Sequence, residues 1–247
     1  MGYSIILPTL NENGHIVSLI NSIIKNFKNN NHKYEIIIVD DNSTDGTIAS
    51  IKKSFKKNKK IKVFVRLNKK KSLPESINLG IKKSKNENII WMDADFQHPP
   101  KYIKLFIKYQ KKYNLVIFSR FLKRSTRYFE QKKYKKKINE NQSVFFNKLC
   151  RLVFYKDITD YTSGFICIKK KFFKNYSLKG FYGDYFIDLL IHARSKNYSI
   201  KELPFNEKAR LSGISKTYPE FSIKYLILLF KYLISLIKII IKYLVLR

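Results

Sequence analysis

Asn88-Ile89-Ile90-Trp91-Met92-Asp93-Ala94-Asp95-Phe96-Gln97-His98-Pro99-Pro100 runs from an apolar stretch straight into alternating oxygen-bearing side chains. Asn88 to Trp91 reads as a buried strand, and the period-two geometry of an extended chain puts Asp93, Asp95 and Gln97 on one side as the strand ends. Two carboxylates and an amide oxygen are hard ligands. They suit Mg²⁺ or Mn²⁺, with coordination positions left for water and a diphosphate. Acidic residues at a strand-to-turn junction also cap a following helix, here one starting near Pro99, so a lone Asp-X-Asp does not separate the two roles.

The chain upstream does. Tyr3 to Leu7 is a β-rich apolar run ending in Pro8-Thr9-Leu10-Asn11-Glu12, and Tyr34 to Val39 is another, ending in Asp40-Asp41-Asn42-Ser43-Thr44-Asp45-Gly46-Thr47. After Glu12, the residues Ile16, Leu19, Ile20, Ile23, Ile24 and Phe27 recur at helical spacing, so one face of that segment packs on a sheet. Ile61 to Leu67 reads as a further strand, and Ser72-Leu73-Pro74-Glu75 is a capping box opening a helix that carries Ile77 and Ile81. Pro99 to Lys112 repeats the helical signal and Leu115 to Ser119 the strand. This alternation predicts an α/β fold, a mostly parallel sheet with helices on both faces. Ligands of such sheets bind beyond the carboxyl ends of the strands, where Glu12, Asp40, Asp41, Asp93 and Asp95 converge.

Five segments carry a family resemblance: Pro8 to Glu12, Asp41 to Thr47, Met92 to Pro100, Asp160-Tyr161-Thr162-Ser163-Gly164-Phe165, and Arg210-Leu211-Ser212-Gly213-Ile214-Ser215-Lys216. Their order resembles that of family 2 glycosyltransferases, in particular the polyprenyl-phosphate transferases of the dolichol-phosphate mannose synthase type, from Ile5 to about Lys216. The resemblance implies a GT-A fold, a divalent cation, an NDP-sugar donor such as GDP-mannose or UDP-glucose, and inversion at the sugar carbon. It implies that Pro8, Asn11, Glu12, Asp40 and Asp41 line the base and ribose pocket, and that Asp93, Ala94 and Asp95 meet the nucleotide-sugar. The cation falls to Asp93, Asp95 and Gln97. Arg210 and Lys216 add donors to the diphosphate, and Arg120 and Ser143 take the acceptor phosphate. Asp95, Asp160 and Arg120 are the candidate catalytic residues.

The acceptor region departs from the family. Ser143, Asn147 and Arg151 match, but the family's paired arginines fall on Asn139 and Glu140, and Lys135, Lys136 and Lys137 are the nearest cations. A long charged loop from Phe121 to Lys137 replaces the usual Gly-rich turn. Two acceptors remain open. A polyprenyl phosphate is largely ionised at pH 7 and needs no base; a sugar hydroxyl, as in surface-polysaccharide assembly, needs a carboxylate. Asp160 reads as structural or acceptor-orienting, with Asp184 and Asp188 the alternatives for a base. His15, His32, His98 and His192 have no spacing that suggests a metal or triad.

Length and composition fit one catalytic domain, residues 1–220 (a nucleotide-sugar half, 1–120, and an acceptor half, 121–220), followed by an appendage at 221–247. The chain has 247 residues, with 50 Lys and Arg against 18 Asp and Glu, a net charge of +32. Such charge can bind polyanions, but the lysines are spread over solvent-facing positions with no nucleic-acid module, which excludes nucleic acid and favours an anionic membrane surface. Cys150 and Cys167 give neither a disulfide framework nor a metal spacing, and the first strand begins almost at Met1, so the expected location is the cytoplasmic face of a membrane. From Phe221 to Arg247 the chain is apolar except for Lys224, Lys231, Lys238 and Lys242, which share an arc of about 40° with Ser235, flanked by Tyr225, Tyr232 and Tyr243. That pattern predicts an amphipathic helix lying in the membrane interface, its lysines and tyrosines at headgroup level; a terminal helix docked on the catalytic domain or on an oligomer partner, and a single tilted span with snorkelling lysines, are the alternatives.

Overall fold

The computed structural model describes residues 1–28, 31–67, 69–125, 138–181, 183–208 and 223–245. Among them, seven strands form one sheet: β1 (Gly2–Thr9), β2 (Lys33–Asp40), β3 (Ile61–Val65), β4 (Asn88–Trp91), β5 (Leu115–Ser119), β6 (Ile166–Lys169) and β7 (Ile200–Pro204). The order across the sheet is β3-β2-β1-β4-β6-β5-β7, and β6 alone runs against its neighbours. In the parallel half β1, β2 and β4 were legible as apolar runs ending in acid; the antiparallel β6 came with no such signal.

The period of two along the buried strands feeds two cores. On β1, Tyr3, Ile5 and Leu7 point to one face, where α1 (Ile16–Phe27) lays down Ile16, Leu19, Ile20, Ile23 and Phe27. Ile6 points to the other, against Ile77 and Ile81 of α3 (Leu73–Lys83). Ser72 caps α3 as its sequence predicts, its Oγ accepting from Glu75 N at 3.4 Å. Gly80 is required by close packing, because a Cβ there would sit 2.5 Å from Ile6 Cγ2. The shorter α2 (Thr47–Phe55) and α4 (Ile103–Tyr109) complete the first half, and α5 (Ile138–Val153) and α6 (Asp184–Ser195) the second. α6 is apolar nearly all round, with Tyr185, Phe186, Ile187, Leu189, Leu190 and Ile191 buried, so it needs a cover on both sides.

That cover comes in part from the C-terminal helix α7 (Ile223–Ile240) and its continuation Ile241–Val245. Part of its polar stripe meets the protein: Ser235 Oγ donates to Asp184 Oδ2 at 2.7 Å, Lys242 Nζ to Asp188 Oδ1 at 2.9 Å, and the Tyr232 hydroxyl accepts from Gly183 N at 2.9 Å, while Lys231 and Lys238 are exposed. Leu236, Ile239 and Tyr243 join the core beside α6. The reason is electrostatic, since Asp184 and Asp188 are buried carboxylates that need donors. α7 also turns apolar side chains outward, Phe230 65% and Ile237 55% exposed, beside the exposed Lys231 and Lys238. Among the described residues no helix is long and apolar enough to cross a membrane.

Candidate active site

At the carboxyl ends of β1, β2 and β4 the chain leaves a cleft of about 330 Å³. Pro8, Glu12 and Asp41 line one side, and Asp93, Ala94 and Asp95 another. Thr162 to Gly164, before β6, and Phe181 and Gly183, before α6, close the far wall. A larger hollow of about 990 Å³ lies toward the opposite end, near the start of β4, and six of its fourteen lining residues are lysines. The smaller cleft is the candidate site, because it holds the convergent acids at the strand ends where parallel sheets bind ligands.

The two upstream motifs are largely fasteners for each other. Thr9 Oγ1 donates to Asp40 Oδ2 at 2.9 Å, Asn11 N to Ser43 Oγ at 2.8 Å, and Thr44 N to Asn11 Oδ1 at 2.9 Å. Glu12 N donates to Thr47 Oγ1 at 2.8 Å and Asn13 N to Asp45 Oδ2 at 2.9 Å. Asn11 and Asn42 take left-handed backbone conformations, φ 55° and 64°, which asparagine tolerates. Asp40 is fully buried and also accepts from Ser43 N and Oγ at 2.7 and 2.6 Å. Asn11 and Asp40 therefore hold the rim together and do not line the cleft, unlike Pro8, Glu12 and Asp41. Asp41 ties the end of β2 to the cap of α3, pairing with Arg66 Nη1 at 2.5 Å and accepting from Ser72 N at 2.6 Å.

The segment after β4 is not extended as its spacing predicts. The strand stops at Trp91, and Phe96 at φ 68° turns the chain, with Gln97 N donating to Asp95 Oδ1 at 3.0 Å. Alternation thus ends before Gln97, which does not line the cleft, while Asp93 and Asp95 do. His98 fastens the same turn from behind. Its Nδ1 accepts from Asp93 N at 3.0 Å and its ring stacks on Phe165 at 4.7 Å. Burial pushes its pKa down to about 4, so the imidazole is neutral and the Nδ1 bond leaves the proton on Nε2.

Among the described residues no three His, Cys, Asp or Glu side chains gather as a metal-binding group. Asp93, almost half exposed, and the buried Asp95 offer two carboxylates two residues apart on one cleft wall. That donor set fits a Mg²⁺-like ion, which is commonly held by one or two carboxylates with substrate phosphates and water completing its shell.

Arg120, which follows the end of β5, and Asp160 do not line the cleft; they form a fork beside the wall of Thr162 to Gly164. Asp160 Oδ2 accepts from Arg120 N at 3.0 Å and from Nε at 2.9 Å, and Oδ1 accepts from Nη2 at 2.9 Å. Glu207 lies 3.6 Å from Nη1. Burial opposes charge on both partners, yet the ion pair outweighs it: the Asp160 carboxyl lies below its usual range, and Arg120 is held firmly charged. Around the fork, Asn147 Nδ2 donates to Thr162 Oγ1 at 3.0 Å and Asn147 Oδ1 accepts from Tyr161 N at 2.5 Å. Glu202 on β7 accepts from Thr159 N at 2.9 Å and Asp160 N at 3.2 Å. Glu202 and Glu207 escape sequence reasoning, since neither sits in a recognisable motif. Arg210 and Lys216 lie outside the described residues, as do residues 126–137 of the charged loop and the side chains of Asn139, Glu140 and Ser143.

The family model for glycosyl transferase family 2 matches residues 4–177. A dolichol-phosphate mannosyltransferase of Pyrococcus furiosus is 30% identical over 217 residues, 87% of this chain and 59% of that protein, so the match spans less than two thirds of that relative's length. A protein of the same name from Mycosarcoma maydis is 25% identical over 232 residues, 90% of this chain and 76% of its own length. Among solved structures, glucosyl-3-phosphoglycerate synthase from Mycobacterium tuberculosis, in complex with Mn²⁺, uridine diphosphate and phosphoglyceric acid, superposes with a TM-score of 0.70 at 16% identity. The match covers 96% of this chain and 78% of that one, and at this identity it speaks for the GT-A fold alone.

Proposed function

The chain belongs to glycosyl transferase family 2, and from that premise we propose that it transfers one hexose, mannose or glucose, with inversion, from an NDP-sugar to a polyprenyl phosphate at the cytoplasmic face of a membrane. The observation that carries the choice of acceptor is the Arg120–Asp160 fork. Asp160 is fully buried and fixed by three hydrogen bonds from one guanidinium-bearing residue, so it is a poor base for a hydroxyl. A phosphate monoester, with a second pKa of about 6, is mostly a dianion at pH 7 and needs no base. The names of the archaeal and fungal relatives support the same acceptor class.

In this reading the nucleotide-sugar enters the cleft along Pro8, Glu12 and Asp41, against the wall made by Asp93, Ala94 and Asp95. Asp93 and Asp95 would hold Mg²⁺ or Mn²⁺, which when bound would neutralise charge on the departing diphosphate. Gln97 sits one turn too far round to line the cleft, so it supports the Asp95 turn through its backbone. Arg120 presents a fixed charge to the acceptor phosphate, and Asp160 sets the guanidinium plane. An acceptor oxygen bonds to the anomeric carbon from the face opposite the diphosphate, the carbon–oxygen bond to the diphosphate breaks, and the nucleoside diphosphate leaves with that electron pair. Arg210 and Lys216 supply further donors to the diphosphate, and Ser143 a hydroxyl to the acceptor. The outward apolar face of α7 supports placement at a membrane surface.

Incubation with GDP-mannose, UDP-glucose and other NDP-sugars plus a short polyprenyl phosphate, followed by mass spectrometry of the lipid, tests this. One donor should add a single hexose. No lipid product with any donor would refute the reading.

A further inference from the structure

Beside the active-site cleft, between α6 and α7, opens a notch of about 470 Å³, and Phe181 lines both spaces. Lys179, Lys231, Lys238 and Lys242 surround it, with Ile234 and Ile239 as its apolar part. Lys242 is paired with Asp188 at 2.9 Å. Asp184 and Asp188 also line the notch, but Asp184 is held by Ser235 and Asp188 by Lys242; among the described residues Lys179, Lys231 and Lys238 have no carboxylate partner, so the lining carries a surplus of positive charge. Lys231 and Lys238 lie two helical turns apart, about 10 Å along the axis, on the same side of α7.

The notch opens onto the outward face of the same helix, where Phe230, Ile234 and Ile237 are exposed. A free inorganic anion would use the lysines and gain nothing from that face, whereas an apolar ligand would use the face and leave the lysines idle. One chemistry uses both, a phosphate carried on a hydrocarbon chain. We propose that the notch is a headgroup site for an anionic membrane phospholipid, its phosphate between Lys179, Lys231 and Lys238 and its acyl chain along Phe230, Ile234 and Ile237. This rests on the membrane-surface reading above and adds a discrete lipid seat to it. The seat shares a wall with the donor cleft, because Gly183 lines the cleft and its N–H donates to Tyr232 of α7.

Co-sedimentation of the full chain with phosphatidylcholine vesicles, with and without phosphatidylglycerol, tests the proposal. Wild type should prefer the mixed vesicles. Lys231→Gln with Lys238→Gln should bind them about thirty-fold more weakly, as expected for two lysines at about 1 kcal/mol each, with neutral-vesicle binding unchanged. Lys231→Arg with Lys238→Arg should restore the preference. Lys171→Gln with Lys174→Gln removes the same charge from the hollow at the far end of the sheet and should cost under about threefold. An equal loss from both Gln pairs, or none from the notch pair, overturns the site while leaving the membrane reading in place. Wild type that binds neither vesicle overturns both.

Discussion

Replacing Asp160 with Asn removes one charge and turns an acceptor into a donor at the most constrained point of the site. The carboxylate accepts from Arg120 N, Nε and Nη2 at 3.0, 2.9 and 2.9 Å and from Thr162 N at 3.1 Å, with no exposure to solvent. An asparagine keeps one oxygen for these donors and points its NH₂ at the others, leaving the Arg120 charge with only Glu207, 3.6 Å away. Breaking a buried pair from one side costs about 3–5 kcal/mol, a large share of the roughly 5–15 kcal/mol that holds a domain together. Urea unfolding followed by the fluorescence of Trp91, the sole and buried tryptophan, measures the loss. The sign with pH is fixed. Burial would raise the Asp160 pKa, but Arg120 outweighs it and the folded value is depressed, so the contribution is whole above the ordinary value of 3.8 and is lost as pH falls through the folded one. The stability gap between wild type and variant should stay constant from about pH 8 to 5 and narrow below about 4. A gap under about 1 kcal/mol at pH 7, the scale of an exposed pair, would refute the fork as a buried anchor. Where the variant is folded, its kcat should fall by less than the 10²- to 10⁴-fold typical of a lost general base, with KM for the lipid rising.

Asp95→Asn should abolish most activity without changing the melting temperature by more than a few degrees, and a chelator should silence the wild type; full activity in excess chelator contradicts the cation site. Phe230→Ser with Ile237→Ser should lower binding to neutral vesicles at least tenfold with stability unchanged, because both side chains are outward-facing; unchanged sedimentation would move the membrane contact elsewhere. Gly80→Ala should destabilise by about 1–3 kcal/mol, since its Cβ meets Ile6, and a neutral result in urea unfolding would mean α3 can lift off β1.

The parallel half of the fold is legible in the sequence because β1, β2 and β4 are apolar runs closed by acidic turns, and each is followed by a helical segment. β4 and β5 have the bounds their residues predict, and α1 buries five of the six residues its spacing selects, Ile24 being half-buried. The second half is harder. β6 is a four-residue strand with no alternation, and α6 is buried nearly all round, its two carboxylates included, so neither announces its period. Within the site, sequence locates the acids but not their employment. Asp40 and Asp41 are neighbours, yet one is fully buried in hydrogen bonds from Thr9 and Ser43 and the other faces the cleft, because an extended chain sends adjacent side chains to opposite sides. The lysine stripe of α7 is equally legible and its direction is not. That direction depends on Asp184 and Asp188, some fifty residues away in sequence.

The most direct test of the central claim is the rate of hexose transfer from the active NDP-sugar to a polyprenyl phosphate, to the matching free polyprenol, and to a sugar hydroxyl. An acceptor that is already ionised predicts transfer to the phosphate alone, with Asp160→Asn retaining measurable turnover. Transfer to a hydroxyl at a comparable rate, abolished by Asp160→Asn, would contradict the account and make Asp160 the general base.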